Sequence, residues 1–201
     1  MNKNELFVFM GRSGCGKGTQ VALFIEQLKK EGRSDDQIYY LETGQQIRNL
    51  VEGDSYSSRI AKDIMERGER HPSFLASWTW TSLLMDGMRE GTAIILDGSP
   101  RSQAEADTLD TVLGYYGIEK GNFVYMDVSR EWAHDRLLGR EREYDNEERI
   151  NTRLDWFETD VGSVMDGYEK NEKFNFIKVN GEQSIEDVHK DIIKIYDSYK
   201  N

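Results

Sequence analysis

The feature that most constrains the fold is a glycine-rich segment placed between an apolar run and a helical pattern. Residues 6–10 are continuously apolar and end at Gly11, which is typical of a strand buried on both faces of a parallel sheet. Four glycines then follow within the eight residues 11–18. The next apolar residues have the i, i+3, i+4, i+7 spacing of a helix over about 17–31: Val21, Phe24, Ile25 and Leu28. The chain therefore opens with strand, loop and helix.

The rest of the chain repeats this alternation. Short apolar runs lie at 38–41, 93–96, 123–126 and 176–179, separated by polar stretches with helical spacing. Strands that alternate with helices predict a parallel sheet with helices on both sides. We therefore expect a three-layer α/β fold of the P-loop NTPase type, with a five-stranded parallel sheet. A chain of 201 residues supplies one core, so we expect a single domain over 1–201.

Composition excludes several classes of protein. The net charge is −11 and the pI is about 4.8, which argues against a general basic surface for nucleic acid. Cys15 is the one cysteine, so neither an intrachain disulfide nor a four-thiolate zinc site can form. We expect no zinc, no membrane partner and a cytoplasmic location, since the apolar run at 6–10 is too short for a signal peptide or a membrane span.

The segment 11–19 fits the phosphate-binding loop pattern, with Gly18 where Ser or Thr usually stands and Thr19 just after. Glycines let backbone N–H groups converge on phosphate oxygens, and Lys17 can bridge the outer phosphates. The alternative is a flexible glycine turn that carries a lysine, but the loop follows a buried strand and opens a helix, as phosphate binding requires. Cys15 is interpreted as a small loop residue without a catalytic role.

Charged residues elsewhere fit phosphate chemistry. Asp97 ends the apolar run at 93–96, and ligands of open α/β sheets bind at the carboxyl ends of strands. We expect Asp97 to help hold Mg²⁺ beside a triphosphate, although an acidic residue there can also cap the next turn. Phosphoryl transfer further needs cations around the transferred group. Taken singly, an arginine is more often a solvated or ion-paired surface residue. The candidates are Arg101, Arg136, Arg140, Arg142 and Arg153.

Taken in order, these residues resemble the adenylate kinases and the related nucleoside monophosphate kinases. The motifs that carry the resemblance cover the chain from about 6 to 181. They are Gly16-Lys17-Gly18-Thr19-Gln20, Thr43-Gly44 with Arg48, Asp97-Gly98-Ser99-Pro100-Arg101, and the arginine-rich segment 135–153. The resemblance implies a cis peptide before Pro100, a monophosphate-binding insertion at 43–76, a minimal lid at 139–145 and a monomer.

The resemblance also implies roles for individual residues. The ATP site would comprise Gly14, Cys15, Gly16, Lys17, Gly18, Thr19 and, packed on the base, Arg136. The monophosphate site would comprise Thr43, Gly44, Arg48, Gly98, Arg101 and Glu105. The catalytic cations would be Lys17, Arg101, Arg140, Arg142 and Arg153. Mg²⁺, bound with ATP, would be held by Asp97 through water and by Thr19, and Asp145 would be the acidic partner on the lid.

Three departures from the family pattern affect this interpretation. Glu105 stands where adenylate kinases have a glutamine that reads adenine. An ionised glutamate only accepts hydrogen bonds, which suits guanine, and it needs a proton or another residue to serve adenine. If the local sequence register shifts, Gln103 takes the place of Glu105 as the residue that reads the base. His71 is either a further contact to the base or a plain loop residue.

The lid is very short, with Tyr144 in place of an acidic residue. Ser13 and Ser99 replace a common proline and a common aromatic residue. We interpret Trp78 and Trp80 as core or hinge packing.

The sequence therefore predicts a nucleoside monophosphate kinase, with AMP as the expected acceptor. GMP, UMP or CMP remain alternatives because of Glu105, as does an ATP-binding module that has lost turnover through its short lid. A GTPase-type switch shares the phosphate loop, but the chain has no Asn-Lys-x-Asp motif to read guanine. The expected partners are ATP and a nucleoside monophosphate.

Overall fold

A computed structural model of the protein describes residues 3–139 and 146–200. The expectations for Arg140, Arg142, Tyr144 and Asp145 lie outside these residues, as does most of the expected lid at 139–145.

The centre of the fold is a five-stranded sheet in the order β2-β3-β1-β4-β5. Every neighbouring pair of strands is parallel. The strands are β1 (Glu5–Gly11), β2 (Ile38–Glu42), β3 (Ala93–Asp97), β4 (Gly121–Asp127) and β5 (Phe174–Asn180). The five apolar runs of the sequence are therefore the five strands, and the predicted α/β fold class is confirmed.

The central strand explains why its sequence is continuously apolar. Leu6, Val8 and Met10 contribute to the core on one face of the sheet, and Phe7 and Phe9 contribute to the core on the other. Successive side chains of a strand point to opposite faces, so a strand covered on both sides needs apolar residues at every position. All five side chains are 2% exposed or less.

Helices cover both faces of the sheet. Their bounds are α1 (Lys17–Lys30), α2 (Thr43–Val51), α3 (Tyr56–Glu66), α4 (Ser73–Gly87), α5 (Gln103–Tyr115), α6 (Arg130–Leu138), α7 (Glu147–Trp156), α8 (Gly162–Glu169) and α9 (Ile185–Ser198). A 3₁₀ turn at Asp35–Gln37 precedes β2, and a π-helical turn at Phe157–Val161 joins α7 to α8. The last helix, α9, is capped at its N-terminus, since Ser184 Oγ accepts a hydrogen bond from the N–H of Asp187 at 3.1 Å.

The two tryptophans of α4 have different environments. Trp80 is fully buried, as expected for core packing, whereas Trp78 is 54% exposed and does not belong to the core. Residues two apart on a helix point to nearly opposite sides because each residue turns the helix by about 100°. Only one of the two side chains can therefore face the sheet.

This difference gives a matched test of stability. We expect Trp80→Ala to lower the free energy of unfolding by about 3 kcal/mol, because it opens a cavity in the core. We expect Trp78→Ala to lower it by less than about 1 kcal/mol. Urea unfolding followed by circular dichroism measures both values, and equal losses for the two variants would contradict the assignment of Trp80 to the core.

Candidate active site

The carboxyl ends of three neighbouring strands meet at one edge of the sheet. The loop after β1 carries the glycines, β3 ends at Asp97, and Thr43 starts α2 directly after β2. The backbone N–H of Gly98 donates to Phe9 O at 3.1 Å, which fixes the end of β3 against the end of β1. The topology therefore brings three separate sequence motifs to the place where α/β sheets bind ligands.

Glycines shape the loop at 11–19. Gly14 and Gly16 have φ angles of +89° and +94°, in the left-handed region that favours glycine. A Cβ atom on Gly14 would lie 2.6 Å from Ala133 O, so α6 packs directly against the loop. Gly16 precedes the first residue of α1, which points the N-terminus of that helix at the loop, as anion binding requires.

Lys17 begins α1 and its side chain folds over the loop. Its Nζ donates to the carbonyl oxygens of Gly11 at 2.9 Å and Arg12 at 3.2 Å. The same Nζ lies 3.6 Å from Cys15 Sγ, and the Cys15 side chain is 2% exposed beneath the loop. Gly18 and Thr19 are exposed on the first turn of α1. The loop therefore places a cation, exposed backbone and a hydroxyl around one small volume.

Arg136 lies on α6, the helix that packs against Gly14. Its side chain is exposed, and its guanidinium lies over the ring of Trp132, 4.6 Å from the centroid. Arg136 thus lies on a helix that contacts the phosphate loop, and its predicted contact with the ATP base stays a prediction. Trp132 was not among the predicted site residues.

Asp97 is nearly buried at the end of β3, with 7% exposure. Its Oδ2 accepts a 3.1 Å hydrogen bond from the hydroxyl of Tyr40 on β2. Burial raises the pKa of the Asp97 carboxyl, while the positive charge of Lys17 lowers it. Asp97 is thus held by a neighbouring strand, and the charge of Lys17 on the phosphate loop acts on its carboxyl.

A cavity of about 520 Å³ opens beside this edge of the sheet, a volume typical of small-molecule sites. Six of the predicted site residues line it: Thr43, Gly44, Arg48, Arg101, Glu105 and Arg153. Gly98 lies just outside, with a φ angle of +84°, and its carbonyl accepts a hydrogen bond from Arg101 Nε. Lys17, Asp97 and Arg136 do not line the cavity.

Two contacts fix the wall of the cavity that α2 forms. Arg48 Nη2 donates to Glu42 Oε1 at 2.6 Å, which ties this helix to the last residue of β2. The hydroxyls of Thr43 and Ser99 lie 3.0 Å apart, and both residues are buried. The peptide between Ser99 and Pro100 is cis, as the resemblance implies. Ser99 therefore joins the end of β3 to the start of α2.

Glu105 lies in the first turn of α5 and is fully buried. Its Oε1 accepts a 3.2 Å hydrogen bond from Ser102 Oγ and lies 3.8 Å from Arg70 Nη2. Gln103 is exposed and donates to Asp107 at 2.7 Å. The suggested replacement of Glu105 by Gln103 is therefore wrong, because residues two apart on a helix face different ways.

His71 lines the cavity. Its Nε2 lies 3.0 Å from Ala61 O, and since a carbonyl only accepts, the ring nitrogen donates. Burial lowers the pKa of His71 below its usual value, so the ring is neutral at pH 7.

Several residues of the site were missed by sequence reasoning. Arg70, Arg149 and Trp156 line the cavity, and Tyr40 binds Asp97. None of them belongs to a phosphate-binding motif, and their contacts join positions far apart in the chain. The available sequence signal was that Arg70 directly precedes His71, a candidate base contact.

Metal and membrane features are limited. Within 3–139 and 146–200, the structure contains no group of three or more His, Cys, Asp or Glu side chains that could hold a metal ion by themselves. In the same part of the chain, no helix has the length and apolar character needed to cross a bilayer.

Comparison with known proteins gives a consistent result. A family model described as adenylate kinase matches residues 9–173. The adenylate kinase of Prochlorococcus marinus (strain MIT 9515) is 30% identical over 175 residues, which cover 87% of this chain and 90% of the relative. That of Nautilia profundicola is 30% identical over 92% of both chains. That of Oenococcus oeni is 27% identical over 92% of this chain and 94% of its own.

Proposed function

The chain belongs to the adenylate kinase family, and we propose that it transfers the γ-phosphoryl group of Mg-ATP to AMP, which gives two molecules of ADP. As a member of this family it is an ATP-dependent nucleoside monophosphate phosphotransferase. We further propose that it acts as a monomer in the cytoplasm.

The observation that carries the proposal is the meeting of two different binding elements at one sheet edge. The phosphate loop holds Lys17, and the 520 Å³ cavity holds Arg101. The charges of both Lys17 and Arg101 act on the buried carboxyl of Asp97 at the end of β3. A protein that only binds ATP has no need of a second cavity lined with arginines. We call this cavity the acceptor pocket.

The arrangement suits direct transfer between two nucleotides. A phosphate oxygen of the acceptor attacks the γ-phosphorus of ATP, the bond to the β,γ-bridging oxygen breaks, and ADP leaves on the opposite side. The transition state spreads negative charge over the equatorial oxygens, so catalysis is positioning and electrostatic stabilisation. Lys17 and Arg101 supply fixed positive charge on either side of the transferred group, and Arg153 adds a third in the wall of the acceptor pocket. Water must be excluded, because it would otherwise take the phosphoryl group.

Magnesium fits the oxygen atoms available. Mg²⁺ usually keeps several waters and binds through one or two carboxylates and substrate phosphates, and it would neutralise charge on the ATP phosphates. Asp97 and Thr19 offer a carboxylate and a hydroxyl near the phosphate loop. We propose that Asp97, through water, and Thr19 would hold the ion.

The remaining assignments follow from the same proposal. Segment 43–76 is the monophosphate-binding insertion, with Arg48 and Arg101 as the phosphate ligands beside Thr43, Gly44 and Gly98. ATP phosphates are held by Gly14, Cys15, Gly16, Lys17, Gly18 and Thr19, and the ATP base packs on Arg136. Arg140 and Arg142, with the minimal lid at 139–145, are proposed to neutralise and shield the transferred group.

A coupled assay that detects ADP tests this function. With Mg-ATP in excess, we expect turnover with AMP and a kcat/KM for AMP at least about 10-fold above those for GMP, CMP and UMP, since one misplaced base hydrogen bond costs about 1.5 kcal/mol or more. A higher kcat/KM for GMP, CMP or UMP than for AMP would show that this other monophosphate is the acceptor. ATP binding without transfer to any of the four would overturn the kinase assignment and favour a binding module.

A further inference from the structure

The acceptor pocket contains a carboxylate whose hydrogen bonding is incomplete. Glu105 is fully buried and lines the pocket. Its Oε1 accepts from Ser102 Oγ, but its Oε2, also buried, has no hydrogen-bond partner in the described part of the chain. A buried carboxylate oxygen without a donor is costly. Glu105 therefore offers one acceptor for an N–H group of a bound molecule.

A cation stands beside this carboxylate. Arg70 lines the same pocket, and its Nη2 lies 3.8 Å from Glu105 Oε1. Arg70 is anchored from behind, because its Nη1 donates to Asp160 Oδ2 at 2.7 Å, and its Nη2 makes a longer contact of 3.4 Å with Ser73 Oγ. A guanidinium carries five N–H donors, so the two bonds to Asp160 and Ser73 leave donors for a ligand. The π-helical turn at 157–161, which holds Asp160, thus orients Arg70 in the pocket wall.

We infer that Arg70 and Glu105 together read the base of the acceptor nucleotide, with Glu105 Oε2 accepting from an exocyclic amino group and Arg70 donating to the adjacent ring nitrogen. The inference deepens the proposed function and rests on it. One free acceptor beside one donor is the same combination that a single primary amide presents. Two side chains from separate parts of the chain therefore do the work of one glutamine.

This combination selects among the bases by their edges. Adenine presents an amino donor next to the N1 acceptor, which matches one free carboxylate oxygen and one guanidinium N–H. Guanine presents two adjacent donors, N1–H and the 2-amino group, and because its N1 carries a hydrogen, this ring nitrogen cannot accept from Arg70. Uracil lacks an amino group. The pair thus favours a base with an amino group beside an acceptor ring nitrogen, which adenine and cytosine share, so a glutamate at this position is compatible with AMP.

A double-mutant cycle at Arg70 and Glu105 tests this inference. Arg70→Leu leaves the Glu105 carboxylate without its cation and the ring nitrogen without its donor. We expect the KM for AMP to rise at least about 10-fold, as for loss of a hydrogen bond to a charged group, with kcat and the KM for ATP changed less than about threefold. In the E105Q background the amide supplies both groups, so R70L should raise the KM for AMP less than about threefold. The matched control is R67L, because Arg67 is exposed and pairs with its neighbour Glu69.

A second variant guards against a purely structural effect of losing the contact with Asp160. Arg70→Lys keeps a positive charge near Asp160 but loses the planar fork of donors. Base reading predicts that R70K raises the KM for AMP by about threefold or more at unchanged thermal stability, whereas a structural anchor predicts a KM close to wild type.

The outcomes separate the inference from the function on which it rests. If wild type phosphorylates AMP but R70L and R70K leave its KM unchanged, or R70L is equally harmful with E105Q, base reading by the pair is wrong and the kinase function stands. A wild-type preference for GMP or UMP over AMP also contradicts base reading by Arg70 and Glu105. No turnover with any monophosphate overturns the proposed function itself.

Discussion

Replacing Lys17 with methionine is expected to lower kcat/KM for ATP by about 10³-fold, one of the two largest effects expected of single substitutions in this protein. The Lys17 ammonium lies over the phosphate loop, with Nζ 2.9 Å from Gly11 O, at the start of a helix whose N-terminus faces the loop. A positioned cation acts on charge that develops during transfer, and removing one such group typically costs a factor of 10² to 10³ or more. Methionine keeps most of the length of the side chain, so the fold should persist.

A coupled assay at varied ATP measures the effect, and Lys30→Met is the matched control, because Lys30 is exposed at the other end of the same helix. Thermal unfolding of K17M should stay close to wild type. A loss of less than about 10-fold in K17M would contradict the role of Lys17. A loss of equal size in K30M would point to a general effect of lost positive charge.

Replacing Arg101 with lysine is expected to lower kcat/KM for the acceptor nucleotide by about 10²-fold, and replacing it with methionine by about 10³-fold. Arg101 is anchored by the hydrogen bond from its Nε to Gly98 O and lies in the field of both Glu105 and Asp97, whose charges raise its pKa against the lowering effect of burial. Its fork is therefore held in one orientation. Lysine keeps the charge but presents no bidentate face to a phosphate.

The comparison of R101K with R101M separates the effect of the positive charge from the effect of the guanidinium fork. A point charge alone would make R101K nearly as active as wild type, whereas a positioned fork makes it much weaker. Arg89→Lys serves as the control because Arg89 is exposed and away from the acceptor pocket. Kinetics at varied AMP with saturating ATP measure the loss, and an unchanged KM for ATP in R101K is expected because Arg101 lies on the acceptor side.

The fold was predictable because its signals are local. A strand covered on both faces needs an uninterrupted apolar run, so the runs at 6–10 and 93–96 predict buried strands. The phosphate loop was predictable for the same reason, since its glycines and Lys17 are neighbours in the chain. Burial of Trp80 and exposure of Trp78 depended instead on which side of α4 faces the sheet, and the adjacent apolar residues of that helix left this open.

The site was only partly predictable because its remaining contacts are long-range. Tyr40 on β2 bonds to Asp97 on the neighbouring strand β3, 57 positions away in the sequence. Arg70 bonds to Asp160, 90 positions away. No periodicity or motif links such pairs, since only the packing of strands and helices brings them together. The roles assigned to Arg140 and Arg142 stay predictions, because these residues lie outside the described ranges.

The hydroxyl pair of Thr43 and Ser99 has a consequence for how this protein can evolve. Both residues are buried, and their oxygen atoms share one 3.0 Å hydrogen bond. A mutation that removes one hydroxyl leaves the other buried without its partner, at a cost of about 1 to 3 kcal/mol, whereas replacing both by apolar groups of similar shape is nearly neutral. Selection therefore acts on the pair as a unit, and substitutions at the two positions should arise together along a lineage.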